Sequence, residues 1–415
     1  MKISTISPVT YRKGKLMKIL FYCWSAYTEQ KVRECLERMG HSLVICHTPC
    51  KNYTRDMQLA AELIQLIHKE KVDCVFTVNY YPIISSVCHT VGILYYSWVF
   101  DSPHYTLFAL QSRLDCNRIF VFDRELQERL QQLGVKQVYH LPLASDAEGF
   151  GRVITRADRD QRYSERVSFL GTLYTDQYDY YDTLLADGTE NSQLMEELHR
   201  VVDRHCFHYG EAISKLYADM AAAEAERGLL TDILSRMGLG LGEDYMAEAI
   251  DIALPAVIEK KVTVEERKRL VTELCRENCG FALHTQSDVS AYPDIVKQSN
   301  HGPLDYFTQM PLLFHRSKVN LNITLRSIHS GIPLRVMDVL ACGGFALSNY
   351  QPEIEEFFTI GEEIEVFRSL EECKEKIQYY LGHEEQRERI ARAGYEKVKR
   401  EFSYERQLGK ILGVK

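Results

Sequence analysis

Short apolar runs alternate with helix-spaced stretches along this chain, and that alternation restricts its fold more than any other feature. Between residues 17 and 150 the runs are "KILFYCW", "HSLVICH", "VDCVFTV", "GILYYSWVF", "RIFVFD" and "QVYHLPL". They are apolar along most of their length, so both faces of each strand must be covered, as in a parallel sheet with helices on both sides. The stretches between them predict helices at 28–39, 56–70, 105–115 and 124–133, with Val32, Cys35, Leu36 and Met39 on one face of the first. Residues 17–150 therefore read as a Rossmann-like domain.

The patterning lapses in "PLASDAEGFGRVITRADRDQRYSER", which predicts a linker at 151–166. It resumes with "VSFLGTLY", "GFALHT", "SKVNLNIT", "GFALSNY" and "IEVF", with helices at 332–342 and 352–358. A mainly helical insertion is expected at about 190–278. A chain of 415 residues exceeds the usual size of one core. The expected class is α/β: two Rossmann-like doubly wound domains, 17–150 and 167–395, facing across a cleft. Residues 1–16 read as an extension, residues 384–412 as a charged amphipathic helix or pair of helices, and 396–415 as a C-terminal helix packing back on the first domain.

The net charge is −8 with both signs mixed throughout, so no basic tract points to nucleic acid. The most apolar region, 72–100, is broken by Asn79, Pro82, Ser85, Ser86 and His89, so no transmembrane segment is expected, while peripheral membrane contact stays open. Twelve cysteines without an apolar signal core suggest reduced thiols and a cytoplasmic location. The spacing in "HSLVICHTPC" fits no standard zinc pattern, so buried structural cysteines and no metal are expected.

Polar residues concentrate where the elements of 302–350 end. In "SKVNLNIT", Val319, Leu321 and Ile323 alternate with Asn320, Asn322 and Thr324, and the strand delivers Thr324, Arg326 and Ser327 to a loop. Ligands of doubly wound sheets sit outside such strand ends. Ser330 or Gly331 can cap the next helix, with Pro333 in its first turn, and the turn Gly343-Gly344 can end it. Arg335 and Asp338 share a face of that helix, whose free N–H groups suit an anion such as a diphosphate. A surface ion pair at Arg335 and Asp338, a cap at Ser330 and a backbone-satisfying Asn322 are the alternative structural roles.

"SGIPLRVMDVLACGGFALSNY", "EIEEFF" and "EQRERIARAGYEKVKREFSYERQ" resemble the carboxyl-terminal domain of group 1 glycosyltransferases of the GT-B fold. With "YSWVFDSPHY", "RIFVFDRE", "YHLPLAS" and "VSFLGTLY", the chain resembles more narrowly the spore-maturation glycosyltransferase-like family over most of 17–412. The resemblance implies metal-independent transfer of a hexosyl group from a nucleoside-diphosphate sugar to a glycan, protein or small-molecule acceptor. It implies no cofactor, a donor held by the second domain, and an acceptor approached from the first. It makes Asp338 the acid that contacts the donor ribose, Gly343 and Gly344 a backbone-contact turn, Tyr306 a base-stacking ring and Asp305 a polar contact. Gly171, Thr172, Asn322, Thr324, Ser330 and Gly331 complete the implied donor site.

Two features depart from the group 1 pattern. Ser330 stands where a sugar-contacting glutamate is usual, and "GTLYTDQYDYY" lacks the usual basic pair, leaving Arg326 or Arg335 to supply positive charge. In the first domain Asp101 is either a base toward the acceptor or a cap of the next helix through Ser102 and Pro103, with His104 a second candidate. Two other functions fit the same residues: a sugar-nucleotide epimerase, and a non-catalytic carbohydrate-binding or spore-surface protein.

Overall fold

The computed structural model describes residues 16–24, 27–102, 104–157, 162–175, 181–182, 192–209 and 243–413. The first sheet comprises β1 (Lys18–Tyr22), β2 (Ser42–Cys46), β3 (Cys74–Val78), β4 (Leu94–Trp98), β5 (Asn117–Val121) and β6 (Val138–His140). All are parallel, in the order β2-β1-β3-β4-β5-β6. Alternate residues of β1 enter different cores: Leu20 and Tyr22 pack in one, Ile19 and Phe21 in the other. Both faces are covered, which is why the strand is apolar without alternation.

Aspartates set the starts of two of the covering helices. Asp56 caps Met57–Glu70 through Leu59 N–H (3.1 Å), and Asp123 caps Arg124–Gln132 through Glu125 N–H (3.1 Å). The helix expected at 105–115 is instead two short 3₁₀ turns, Tyr105–Phe108 and Leu110–Arg113. Between them Ala109 bridges Tyr245, and Leu110 N–H donates to Asp244 O (2.9 Å), so a distant segment takes the backbone bonds a helix would need.

The second sheet comprises β7 (Val167–Leu170), β8 (Phe281–His284), β9 (Val319–Asn322), β10 (Ala346–Asn349) and β11 (Glu365–Phe367). It is parallel in the order β11-β10-β9-β7-β8. The chain steps from β7 outward to β8 and then returns across β7 to β9, so the strand order reverses between β7 and β9. The polar residues of β9 face inward. Asn320 Oδ1 accepts from Ser168 Oγ (2.9 Å) and Asn322 Nδ2 donates to Ser348 Oγ (2.9 Å), a buried ladder that joins three strands.

The segment expected as a linker, 151–166, begins inside a helix, Ala147–Arg156. Asp146 caps this helix through Gly149 N–H (2.8 Å), and its Phe150 packs among Met310, Phe314 and Ile332 of the second domain. A single aromatic anchor in a polar stretch leaves little periodic trace. Of the expected insertion at 190–278, helices Ser192–His205 and Ile250–Arg276 and a 3₁₀ turn, Ala247–Ala249, are described, while residues 190–191 and 210–242 lie outside the described residues. The carboxyl end is a pair of helices, Glu384–Glu401 and Tyr404–Gly413. The last one packs Tyr404, Leu408 and Ile411 into the first-domain core beside Val32, Cys35 and Leu36. Arg38 and Glu405 pair at 2.8 Å across that contact. Among the described residues no helix is long and apolar enough to cross a membrane.

Candidate active site

A cavity of about 460 Å³ opens between the domains, at the point where the second sheet reverses its strand order. The first domain contributes Phe100, Asp101, Ser102 and Tyr105, from the segment after β4. The second contributes Gly171 and Thr172 beyond β7, and Asn322 and Thr324 at the end of β9. Pro333 and Arg335 bring the amino end of the helix Leu334–Ala341 to its wall.

Ala256, Lys260 and Arg267 of the helix Ile250–Arg276 form the remaining side. Lys260 and Arg267 are seven residues apart, two helical turns, and so share a face. Arg267 joins the two strand ends: Nη1 donates to Thr172 O and Nη2 to Ile323 O. Its guanidinium lies between the rings of Phe169 (5.5 Å) and Tyr174 (4.8 Å). Burial pulls its pKa down, and its buried Nε has no hydrogen-bond partner in the protein. A buried guanidinium held by two carbonyls, with Tyr174 and Glu266 as neighbours, is placed to meet an anionic ligand.

Asp101, Gly171, Thr172, Asn322, Thr324 and Arg335 of the expected residues thus meet in one cavity. The others are elsewhere, each for a visible reason. His104 turns Nε2 toward Tyr80 O (3.2 Å), and burial lowers its pKa against the pull of Asp101. Arg326 lies over the Tyr209 ring (4.5 Å), donates to the carbonyls of His205 and His208, and is 3.8 Å from Glu266, so it clamps helices behind the site.

Ser330 does not cap the helix that follows it; its Oγ instead accepts from Glu125 N–H (3.2 Å) in the first turn of Arg124–Gln132. Its Oγ lies 2.8 Å from both Asp123 Oδ1 and Glu353 Oε1, and the following helix begins after Pro333. Gly331 lies against the first domain, where a Cβ would come within 2.7 Å of Phe122 O. Gly343, at φ +71, and Gly344, where a Cβ would meet Phe314 O at 2.3 Å, form a tight turn at the helix end remote from the cavity.

Asp338 is buried away from the cavity. Its Oδ1 accepts from Ser145 Oγ and Tyr306 OH, both at 3.0 Å, and Arg335 approaches its Oδ2 at 3.8 Å. Burial raises its pKa to about 6, against the lowering effect of Arg335 and the two hydroxyls. Tyr306 is engaged by that bond and by an edge contact with Phe150 (6.0 Å). Asp305 accepts from Thr308 Oγ1 (2.6 Å) and from the N–H groups of Phe307 and Thr308, holding a surface turn. Lys260 and Arg267 were not among the residues expected from sequence. Their seven-residue separation on a helix was the available signal, but nothing local shows which strands that helix covers.

Residues 266–413 match the family model described as glycosyl transferase-like. The match contains Arg267, Asn322, Thr324 and Arg335 of the cavity wall. No curated protein matches the chain. The fold is similar to that of a glycosyltransferase from Rickettsia africae ESF-5, with a TM-score of 0.53 and 10% identity over 97% of this chain and 98% of that one. Anabaena HepE in complex with UDP and glucose gives 0.51 and 10% identity over 96% and 99%. A UDP-forming α,α-trehalose-phosphate synthase from Burkholderia xenovorans gives 0.51 and 12% identity over 96% and 98%. The two parallel sheets form the GT-B architecture, and at these identities the structural likeness concerns the fold alone.

Proposed function

We propose that this chain is a cytoplasmic, metal-independent glycosyltransferase that moves a hexosyl group from a nucleoside-diphosphate sugar to an acceptor hydroxyl. The observation that carries the reading is one interdomain cavity holding three second-domain cations, Lys260, Arg267 and Arg335, together with one first-domain carboxylate, Asp101. A diphosphate supplies the anionic charge that such a set balances. The glycosyl transferase-like match over 266–413 supports the reaction class, and the UDP and glucose bound by HepE supply the model donor. The resemblance of "YSWVFDSPHY" and "YHLPLAS" to the spore-maturation group supports that narrower placement.

In this reading Asp101 takes the proton of the acceptor hydroxyl as its oxygen bonds to the anomeric carbon. The bond from that carbon to the diphosphate oxygen breaks, and its electron pair leaves with the diphosphate, where the three cations receive the added charge. Thr172 and Thr324 offer hydroxyls to the sugar, Asn322 has only its Oδ1 to offer because its amide hydrogens go to Thr324 and Ser348, and the backbone at Gly171 allows close approach.

A hydrolysis screen with UDP-glucose, UDP-N-acetylglucosamine and GDP-mannose tests the reading, with Lys260→Gln alongside the unchanged chain. Release of nucleoside diphosphate that weakens in the variant supports it. Absence of both turnover and nucleotide binding overturns it, and a new sugar nucleotide formed without acceptor turns it toward epimerisation.

A further inference from the structure

Asn79, the residue after β3, has φ +62, a left-handed conformation that asparagine tolerates and most side chains do not. The surroundings hold it there. Its N–H donates to Trp98 O (2.8 Å), and its carbonyl accepts from Ser97 Oγ (3.0 Å) and from Thr77 Oγ1. Both ends of its side-chain amide then reach the segment after β4: Oδ1 accepts from Phe100 N–H (2.9 Å) and Nδ2 donates to Asp101 Oδ2 (2.7 Å). The partners fix the amide orientation, because a backbone N–H only donates and a carboxylate only accepts.

We propose, resting on the transferase reading, that Asn79 is a positioning residue that aims Asp101 at the acceptor hydroxyl. With Oδ2 held by the amide, Oδ1 is left for the acceptor proton. A backbone conformation of this kind at a strand end beside a cleft costs energy and persists where its surroundings fix it. The other titratable groups that feel Asp101 are His104, on the same segment, and Tyr53, in the loop before Met57–Glu70. Across the cavity stand Lys260, Arg267 and Arg335.

Two substitutions separate backbone from side chain. Asn79→Gly keeps the left-handed backbone and removes the amide, whereas Asn79→Asp keeps the shape and puts a carboxylate beside Asp101. The readouts are the pH profile of UDP-glucose hydrolysis and UDP affinity by calorimetry, with Asp101→Asn as reference. Asn79→Gly should lower kcat about 10-fold and displace the acidic limb, because the amide that holds Asp101 Oδ2 is lost. Asn79→Asp should move that limb further, and UDP affinity should stay within about twofold in both, since a first-domain amide does not meet the diphosphate.

An acidic limb unmoved in both Asn79 variants, with Asp101→Asn inactive, overturns the positioning role. Full turnover in Asp101→Asn also overturns it, while leaving the transferase reading in place. No turnover and no UDP binding by the unchanged chain would remove both together.

Discussion

Ser330 Oγ and Asp123 Oδ1 lie 2.8 Å apart, one from each domain, with Glu353 Oε1 equally close to the hydroxyl. Asp123 also accepts from His329 N–H (2.8 Å), and Glu353 Oε2 is 2.7 Å from His140 Nε2, so polar groups from both domains close one buried contact. A glutamate at 330 would bring a third carboxylate to two already buried ones.

Ser330→Glu is accordingly expected to destabilise the protein by roughly 3–5 kcal/mol, and Ser330→Ala by about 1–2 kcal/mol. Urea unfolding checks both. A Ser330→Glu protein as stable as the unchanged chain would show that the contact opens at little cost.

Lys260 and Arg267 should differ in what their loss does. Lys260→Gln, at a half-buried position, is expected to weaken UDP binding about 10-fold with little change in stability. Arg267→Lys should lower both affinity and melting temperature, because an ammonium cannot bond Thr172 O and Ile323 O together while stacked between two rings. Calorimetry at two salt concentrations, with thermal unfolding, separates these effects.

His329 supplies a pH dependence of stability. Burial acts to lower its pKa, but Glu259 Oε1 at 2.7 Å from Nε2 outweighs that, and the imidazole is raised to about 9. The folded state then binds the proton more tightly than the unfolded one. The stabilisation is complete below the ordinary histidine value and is lost as pH rises through about 9. Its size is roughly 1–3 kcal/mol, and His329→Gln should flatten the decline between neutral pH and 9.5. Unfolding midpoints across that range decide it.

Asp338 acts in a lower window. Its pKa is raised by burial to about 6 from 3.8, so its contribution is largest below the lower value and is lost as pH rises through the upper one. Asp338→Asn, which keeps an acceptor for Ser145 and Tyr306, should remove on the order of 2–3 kcal/mol of slope across that interval. Unchanged UDP affinity in the same variant is expected, since the carboxylate faces the interdomain packing and not the cavity. A large loss of affinity would return Asp338 to the donor site.

The inner strands were legible because they are covered on both faces: the runs containing Ile19, Phe76 and Ile119 carry an apolar signal that needs no tertiary knowledge. Thr324 and Asn322 could be placed near the cleft from strand period and strand end alone. The fate of Asp338 and Tyr306 could not, because it depends on Ser145 and Phe150, which lie far off in sequence. Ser330 likewise reads as a cap until Asp123 and Glu353 arrive from two other elements. What escaped was the contact made by segments whose own pattern is weak, and much of this site is built from such contacts.

The helix Tyr404–Gly413 completes the core of a domain whose first strand begins at Lys18. During synthesis, residues 18–140 emerge long before the side chains that seal their sheet on that side. The core around Val32, Cys35 and Leu36 stays incomplete until Tyr404, Leu408 and Ile411 are made. Completion of the first-domain core is thereby tied to synthesis of a helix that follows the second sheet.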